Sequence, residues 1–371
     1  MKKKEIKVQS LELAALFAGS KQFVFAAMIS VFMLSSCAKE DDPQPQPVET
    51  KDYIYVLSEG DYKSNNSSLT LYNVEDSTAT TDYFLTQNGR GLGNTAQDII
   101  VYGSKIYISV YGEKRIEVTD LDAKIIKTIE TGNHQPRYLT SYGGKVYATY
   151  FDGFVARIDT ASYAVETTPV GRNPEQMAVA NGKLYVANSG GMDYASELGY
   201  DKTVSVIDLS QFKEIKKIPV EINPRNMIVD NQNNVYVISI GDYVLTPNTI
   251  QKINSSTDAV TKLDIQASYF TLLGSKLYLL YSEYDENWQP TITYKSYDIQ
   301  SNTILSDNFI GNVTFSADGY QISSDSESGE LYIMVSDNIN NGDVYIFDKD
   351  LKLKTGFEAG LNPNKAIRIR K

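Results

Sequence analysis

The hydrophobic pattern of the chain repeats over short stretches. Seven times, a tyrosine stands between an apolar residue and another small or apolar residue, and polar or glycine-containing turns separate these stretches. Alternating patterns this short predict β-strands rather than helices. Successive copies are 52, 40, 38, 51, 42 and 54 residues apart, and a period of about 40 to 50 residues is typical of a β-propeller. The repeat tyrosines are Tyr55, Tyr107, Tyr147, Tyr185, Tyr236, Tyr278 and Tyr332.

The clearest repeat spans residues 173–220, and Asn181-Gly182 predicts a tight hairpin inside it. Its strands are predicted at 176–180, 184–188, 203–209 and 214–220. The first unit, which begins at Asp52, lacks an initial strand, whereas residues 362–369 repeat the Asn-Pro opening of later units. We therefore predict an all-β, seven-bladed β-propeller over residues 52–371. Its C-terminal strand would complete the first blade and remove an exposed sheet edge.

The N-terminal segment predicts export and lipidation. Lysines precede an apolar run at 23–34, which is too short for a membrane span of about 20 residues. Leu34-Ser35-Ser36-Cys37 resembles the bacterial lipobox, whose cysteine is acylated. We predict a lipoprotein signal peptide at 1–36 and an acylated Cys37 that begins an acidic and proline-rich linker at 37–51. An ordinary signal peptide with a chance cysteine is the alternative.

The linker also bears on location. Lys39 is followed by three acidic residues, which resembles the export signal of Bacteroidetes surface lipoproteins. That resemblance implies the extracellular face of the outer membrane, with the acylated cysteine in outer-membrane lipid. A solvated acidic linker is the alternative. The Pro-Gln repeat at 43–47 predicts an extended spacer between anchor and propeller.

Composition excludes several classes of function. The formal net charge of −11 disfavours nucleic acid as a partner. A single cysteine and a single histidine, His134, exclude thiolate clusters and histidine-rich metal sites. The sequence holds no nucleophile elbow, zinc-protease motif or Cys–His pair of the kinds that mark hydrolases. We therefore predict a binding protein and not an enzyme, with no metal or cofactor of its own.

One group of candidate site residues is predicted at the mouth of the central channel. Each is placed by its distance along the chain from a repeat tyrosine, at the start of an inner strand. Amides, arginines, a hydroxyl and one carboxylate make a dense set of hydrogen-bonding groups but a poor cation cage. The alternative is that they only hydrate the opening. The seven positions are Gln97, Arg137, Glu175, Arg225, Ser268, Gln321 and Asn364.

A second group lies on the loops between the second and third strands of the blades. These loops are rich in tyrosine, tryptophan and asparagine, which suits a broad, neutral ligand bearing amide or hydroxyl groups. Packing of tyrosines between neighbouring loops is the alternative, and for His134 it is a polar surface role. The predicted ligand-binding residues are Gln97, Tyr111, His134, Arg137, Glu175, Tyr194, Arg225, Tyr243, Tyr281, Trp288, Asn338 and Asn364.

The repeats resemble a known family. The stretches TAQDIIVYGSKIYISVYG, NPEQMAVANGKLYVANSGG and NNGDVYIFDKDLKLK are similar to the BtuG-type surface lipoproteins of Bacteroides, within the YncE-like seven-bladed propellers. The resemblance covers nearly all of residues 52–371. It implies capture of cobalamin (vitamin B12), as transported ligand, and its transfer to a BtuB-like TonB-dependent transporter.

Two other classes of function stay open. A surface propeller of this kind could bind a glycan or a protein partner through the same tyrosine-rich loops. A lactonase-like propeller enzyme would need a metal or an acid–base pair at the channel mouth.

Overall fold

The computed structural model describes residues 51–287 and 289–371. The predicted signal peptide, Cys37, the linker up to residue 50 and Trp288 lie outside the described residues. In the described part, the strands form seven four-stranded antiparallel sheets, which confirms the predicted all-β, seven-bladed β-propeller. None of the helices in the described residues is long and apolar enough to cross a membrane.

Blades 1 to 4 each consist of four strands that neighbour one another in the sheet. Their strands are β1 (Asp52–Ser58), β2 (Ser68–Asn73) and β3 (Thr78–Thr80) in blade 1, β4 (Ala96–Tyr102), β5 (Lys105–Val110), β6 (Arg115–Thr119) and β7 (Ile125–Glu130) in blade 2, β8 (Pro136–Tyr142), β9 (Lys145–Tyr150), β10 (Phe154–Asp159) and β11 (Val165–Pro169) in blade 3, and β12 (Pro174–Ala180), β13 (Lys183–Asn188), β14 (Thr203–Asp208) and β15 (Lys213–Pro219) in blade 4.

Blades 5 to 7 have the same strand order, and the last strand of the chain returns to blade 1. Their strands are β16 (Pro224–Val229), β17 (Asn234–Ser239), β18 (Thr249–Asn254) and β19 (Val260–Leu263) in blade 5, β20 (Tyr269–Leu273), β21 (Lys276–Tyr284), β22 (Pro290–Asp298) and β23 (Thr303–Ser306) in blade 6, β24 (Asp318–Asp325), β25 (Glu330–Ser336), β26 (Asn341–Phe347) and β27 (Leu353–Leu361) in blade 7, and finally β28 (Pro363–Arg370).

The C-terminal strand closes the ring as predicted. β28 pairs antiparallel with β1, with Ile54 opposite Arg368 and Val56 opposite Ala366. The innermost strands contact one another in the cyclic order β28, β4, β8, β12, β16, β20, β24 and back to β28. Both ends of the described chain are thereby held by the same sheet.

The repeat tyrosines lie in the second strand of each blade, where nearly all positions are buried. This strand is covered on both faces by neighbouring blades, which explains why its sequence is an apolar run rather than an alternation. Two of the tyrosine hydroxyls bond to the following blade: that of Tyr55 donates to the carbonyl of Leu121 at 3.0 Å, and that of Tyr185 to the carbonyl of Ser255 at 3.2 Å. The tyrosines are therefore architectural, as expected for a repeat position.

Two short helical segments were not predicted. α1 (Tyr83–Asn88) links blades 1 and 2 and ends at Gly89, whose φ of 66° needs a residue without a Cβ penalty. The amide of Asn88 donates to the carbonyl of Ala123 at 2.8 Å and its oxygen accepts from the amide of Ile125 at 2.9 Å. The glycine-rich segment that begins at Gly89 therefore ends this helix. A 3₁₀ turn, Gly191–Asp193, lies in the long loop of blade 4.

Candidate functional site

The starts of the inner strands and the loops between second and third strands lie on one face, which we call the upper face. The amide of Ile240, just after β17, donates to the carbonyl of Asn223, just before β16, at 3.0 Å. The side chain of Asn223 donates in turn to the carbonyl of Gly241 at 3.1 Å, and Asn362 makes the same contact with Gly60. The Asn-Pro repeat thus fastens each of these two loops to an inner strand.

The channel-mouth residues predicted from the repeat stand on irregular positions of the inner strands. A shift in strand register, of the kind a β-bulge makes, occurs at Gln97, Arg137, Glu175, Arg225 and Asn364. A bulge leaves residues outside the regular pairing and turns their side chains away from the normal alternation. The same irregularity recurs around the ring, and it directs this set of polar side chains toward the channel mouth.

In blade 7 the predicted position is off by one residue. The register shift occurs at Tyr320, whereas Gln321 pairs regularly with Met334. The reason is the hairpin that follows. Asp325 pairs with Glu330 across four intervening residues, while the corresponding hairpin of blade 2 has two residues between its last pair. Counting back from the repeat tyrosine therefore gives Gln321, whereas the irregular position is its neighbour Tyr320.

A chain of hydrogen bonds crosses the channel mouth. The Arg137 guanidinium donates from Nη1 to Glu175 Oε1 at 3.0 Å and from Nε to Gln97 Oε1 at 3.2 Å. The Gln97 amide donates to Glu59 Oε2 at 2.9 Å, and the Tyr320 hydroxyl donates to the other oxygen of Glu59. Arg137 also lies over the Phe151 ring, 4.6 Å from its centre. These bonds join Glu175, Arg137, Gln97, Glu59 and Tyr320 into one continuous network.

Glu59 was not predicted as a site residue. Burial raises the pKa of its carboxyl above 4.5, although the bonds from Tyr320 and Gln97 and the charge of Arg137 act in the opposite direction. Its position, four residues after the repeat tyrosine Tyr55, is the position of Tyr111 and Phe151 in the next two blades. That equivalence is a signal in the sequence that could have identified Glu59.

The network borders a cavity of about 560 Å³, the channel cavity, which runs along the inner strands. Five of the seven predicted channel-mouth residues line it: Gln97, Arg137, Arg225, Gln321 and Asn364. The Asn364 amide donates to the carbonyls of Ala96 and Gln97 at 3.2 and 3.1 Å, and its buried oxygen has no hydrogen-bond partner among the described residues. An unpaired buried acceptor is costly and could take a hydrogen bond from a ligand or from water.

A second cavity, of about 420 Å³, opens on the upper face between blades 5 and 6, and we call it the blade 5–6 pocket. It brings together four predicted residues, Arg225, Tyr243, Ser268 and Tyr281. Arg225 lines both cavities and so stands between them. Burial lowers the pKa of its guanidinium, but the Glu175 carboxylate and nearby phenols outweigh burial and raise it, so Arg225 is charged.

One wall of this pocket is a tight loop organised by Asp242. Its Oδ1 accepts from the amides of Val244, Leu245 and Thr246 at 3.0, 2.8 and 2.8 Å, and its Oδ2 accepts from the Thr246 hydroxyl at 3.1 Å. Backbone bonds, those of Thr246 first, lower the pKa of this carboxyl to about 2. The loop is thus held while Val244 and Leu245 remain 83% and 87% exposed. The hydrogen bonds from the Asp242 carboxylate to the backbone therefore hold these two apolar side chains in an exposed position.

The exposed apolar side chains are concentrated on the upper face. Among the residues whose side chains the structure describes, every large apolar or aromatic side chain that is more than half exposed lies on a loop between second and third strands. The sequence prediction emphasised tyrosines and missed the aliphatic members; an apolar pair between Asp242 and Pro247 is the signal for two of them. The eight residues, which we call the apolar rim, are Tyr62, Met192, Tyr194, Leu198, Tyr243, Val244, Leu245 and Ile339.

Several predicted residues lie outside both cavities. Glu175 is buried beneath Arg137, and Tyr111 packs edge-on against Phe151 with ring centres 5.9 Å apart. Tyr194 belongs to the apolar rim and stacks on Tyr200, and Asn338 is exposed in the loop of blade 7. None of these four residues lines either cavity, although Glu175 lies close enough to Arg225 to raise the pKa of its guanidinium.

His134 also lies outside both cavities. Its Nδ1 is 2.7 Å from Asp152 Oδ2, and its ring stacks on Tyr150 with centres 4.8 Å apart. Within residues 51–287 and 289–371, no three His, Cys, Asp or Glu side chains are placed to hold a metal ion. The arrangement at the upper face offers contact area, phenols, amides and a charged guanidinium, which are groups for recognition.

Solved structures show the same fold at low sequence identity. Hydrazine synthase of Kuenenia stuttgartiensis matches with 16% identity and a TM-score of 0.57, over 72% of this chain and 93% of that chain. Apo AztD from Citrobacter koseri matches with 10% identity and a TM-score of 0.54, over 86% of this chain and 98% of that one. The WD40 β-propeller domain of Doa1 matches with 13% identity and a TM-score of 0.54, over 78% and 88%.

These structures include an enzyme and a WD40 domain, so the shared fold does not decide between catalysis and binding. No protein-family model matches the chain, and no curated protein sequence matches it. The chain is a β-propeller, and its function has to be argued from the upper face.

Proposed function

We propose that this protein captures cobalamin on the upper face of its propeller and hands it to a BtuB-like TonB-dependent transporter. The observation that carries the proposal is the apolar rim. Its eight residues lie on loops of one face, around a polar channel mouth. The confinement of strongly exposed apolar side chains to the loops of one face supports a role of that face in an interaction.

The chemistry of cobalamin fits this surface. Its corrin is broad and roughly flat, and neutral carboxamides fringe it. Val244, Leu245 and Tyr243 supply apolar contact on a loop that Asp242 holds in place, which limits the entropy lost on binding. Arg225, Asn364 and the phenol of Tyr281 supply groups that can orient the amide fringe.

Capture requires no reacting groups, and the charged residues of the mouth support a binding role. The charged groups do not stand free as an acid–base pair, because hydrogen bonds join them in one network that consists of Glu175, Arg137, Gln97, Glu59 and Tyr320. We propose binding rather than catalysis on this ground.

The remaining parts of the proposal rest on the N-terminal sequence. Lipidation at Cys37 would anchor the protein on the extracellular face of the outer membrane, and the acidic, proline-rich linker would hold the propeller above it. A tether of this kind raises the local concentration of the captured ligand near a transporter when the linker spans the distance.

Titration with cyanocobalamin tests the proposal directly. Purified protein lacking residues 1–36 and carrying Ser in place of Cys37 would be titrated by calorimetry, with a panel of neutral glycans in parallel. The fluorescence of Trp288, the sole tryptophan, gives a second signal, and free N-acetyltryptophanamide corrects for absorption by the corrin. We expect saturable binding of cyanocobalamin at micromolar protein and none of the glycans. Binding of a glycan without cobalamin, or of neither, would reject cobalamin capture.

A further inference from the structure

Arg225 differs from the other arginines of the described residues in having no ionic partner. Every other arginine there lies within 4.0 Å of a carboxylate oxygen. Arg225 donates a hydrogen bond from Nε to Asn223 Oδ1 at 3.2 Å, and it forms no ion pair within residues 51–287 and 289–371. A guanidinium has five N–H donors, so most of its capacity is unused.

The position of Arg225 makes this unused capacity accessible to a ligand. Its side chain lines both the channel cavity and the blade 5–6 pocket. Around it in the pocket stand uncharged groups, among them Tyr243, Tyr281 and Ser268. The carboxylate among the pocket residues is that of Glu283, and Glu283 is exposed.

Arg172 provides a matched comparison on the same face. Its Nη1 is paired with Asp193 and donates to the carbonyl of Gly199 at 3.0 Å, and its Nε lies 3.8 Å from Asp201. Arg172 thus has acidic partners on the loops of this face, whereas Arg225 has no such partner among the described residues. The Glu175 carboxylate, which lies near enough to raise the pKa of Arg225, is instead bonded by Arg137 at 3.0 Å.

We infer that Arg225 is an anion-recognising residue and that the ligand of the blade 5–6 pocket places an anionic oxygen against its guanidinium. This inference rests on the proposed function when it names the group: in cobalamin, the anionic oxygens belong to the phosphodiester that joins the corrin side chain to the nucleotide. Arginine suits this role because its planar fork matches two oxygens of one phosphate and stays charged at every working pH.

Paired ligands and paired variants test the inference. Arg225→Gln and Arg225→Lys would be titrated with cyanocobalamin and with dicyanocobinamide, which lacks the phosphodiester and the nucleotide. Arg157→Gln, in blade 3, is the control, because it removes a guanidinium whose partner, Glu166, is 58% exposed. Circular dichroism and thermal unfolding would check that each variant is folded.

We expect Arg225→Gln to weaken cyanocobalamin binding by about 10- to 100-fold, as is typical when a hydrogen bond to a charged group is lost. Binding of dicyanocobinamide should change less than about twofold, Arg225→Lys should recover part of the loss, and Arg157→Gln should bind as the wild type. Equal losses for both ligands would make Arg225 a general contact, and no loss for either would leave it without a role; each result would overturn the inference.

A separate measurement keeps this inference distinct from cobalamin capture. Binding of dimethyl phosphate, a simple phosphodiester, would be followed by ³¹P NMR at millimolar ligand. We expect a shift that saturates with wild type and with Arg157→Gln but is abolished by Arg225→Gln. If cyanocobalamin fails to bind while dimethyl phosphate does so through Arg225, the proposed function fails and the anion site stands. If the ³¹P signal is unaffected by the wild type, the anion site is refuted.

Discussion

Arg137 and Arg225 occupy the same position of the repeat, two blades apart, and their surroundings are opposite. Arg137 is bound to Glu175 and Gln97 and covered by Phe151. Arg225 donates to Asn223 at 3.2 Å, has no ionic partner in the described part of the chain and borders both cavities. One arginine therefore stabilises the channel mouth, and the other is free to bind.

The loops beside the two arginines also differ, both in length and in the exposure of their side chains. The loop after β9 near Arg137 is short, and its Phe151 is turned onto the guanidinium. The loop after β17 near Arg225 is longer and carries Val244 and Leu245 into solvent. Repeat architecture allows this division because each blade keeps its sheet while its loops vary.

The largest expected effect is on stability. Arg137→Ala should lower the free energy of unfolding by about 3 kcal/mol, because it leaves the buried Glu175 carboxylate without its cation. Arg225→Ala should lower it by less than about 1 kcal/mol, since no ion pair is lost. Urea unfolding followed by circular dichroism measures both. Arg137→Ala combined with Glu175→Gln should recover part of the loss. Equal losses for Arg137→Ala and Arg225→Ala would contradict the assignment of a structural role to Arg137 and a binding role to Arg225.

The second effect is on ligand binding through the apolar rim. Replacing both Val244 and Leu245 by Ser should weaken cyanocobalamin binding by about 10- to 30-fold, as expected for two aliphatic contacts of about 1 kcal/mol each. The matched control replaces Ile304 and Leu305 by Ser, because they are 44% and 49% exposed on the outer strand of blade 6. Equal weakening in the control, or none in the loop variant, would show that the rim does not contact the ligand.

The fold could be predicted from the sequence because it rests on a repeated local pattern. Tyr55 and its six counterparts mark a strand buried on both sides, and Asn362-Pro363 marks the strand that closes the ring. The channel-mouth positions followed from the same count, except where the longer hairpin of blade 7 moved the site residue to Tyr320.

The environments of those positions could not be predicted in the same way. The pairing of Glu175 with Arg137 rather than Arg225 depends on how side chains from adjacent blades meet, and no spacing along the chain records that contact. Glu59 and Tyr320 are 261 positions apart and meet only because the ring closes. The exposure of Val244 and Leu245 depends on the turn that Asp242 organises.

Asp242 provides a smaller and pH-dependent test. Asp242→Ala should weaken cyanocobalamin binding by about fivefold, because the loop would lose the side-chain bonds that hold it and would pay ordering entropy on binding. The folded pKa of about 2 lies below the ordinary 3.8, so the carboxylate stabilises the loop above about pH 4, and this contribution is lost as pH falls toward 2. The affinity ratio of wild type to variant, measured by calorimetry, should therefore be constant from pH 7 to 5 and shrink at pH 3. Equal affinities of wild type and Asp242→Ala at pH 7 would show that Asp242 does not prepare the loop for binding.

The smallest effect concerns the core, where the hydroxyl of the repeat tyrosine has a hydrogen-bond partner in one blade and none in the next. The buried hydroxyl of Tyr55 donates to the carbonyl of Leu121, whereas that of Tyr107 has no hydrogen-bond partner among the described residues. Tyr55→Phe should lower the free energy of unfolding by about 1 kcal/mol, because a buried hydrogen bond is lost while the carbonyl keeps the bond from Lys371 Nζ at 3.0 Å. Tyr107→Phe should change it by less than about 0.5 kcal/mol or raise it slightly, since the desolvation cost of an unpaired hydroxyl disappears. Burial raises the pKa of Tyr107 to about 12, so the phenol is neutral and ionisation plays no part at pH 7. A loss at Tyr107 as large as at Tyr55 would mean that its hydroxyl is bonded after all, through water, and that the contrast between paired and unpaired repeat positions does not extend to the core.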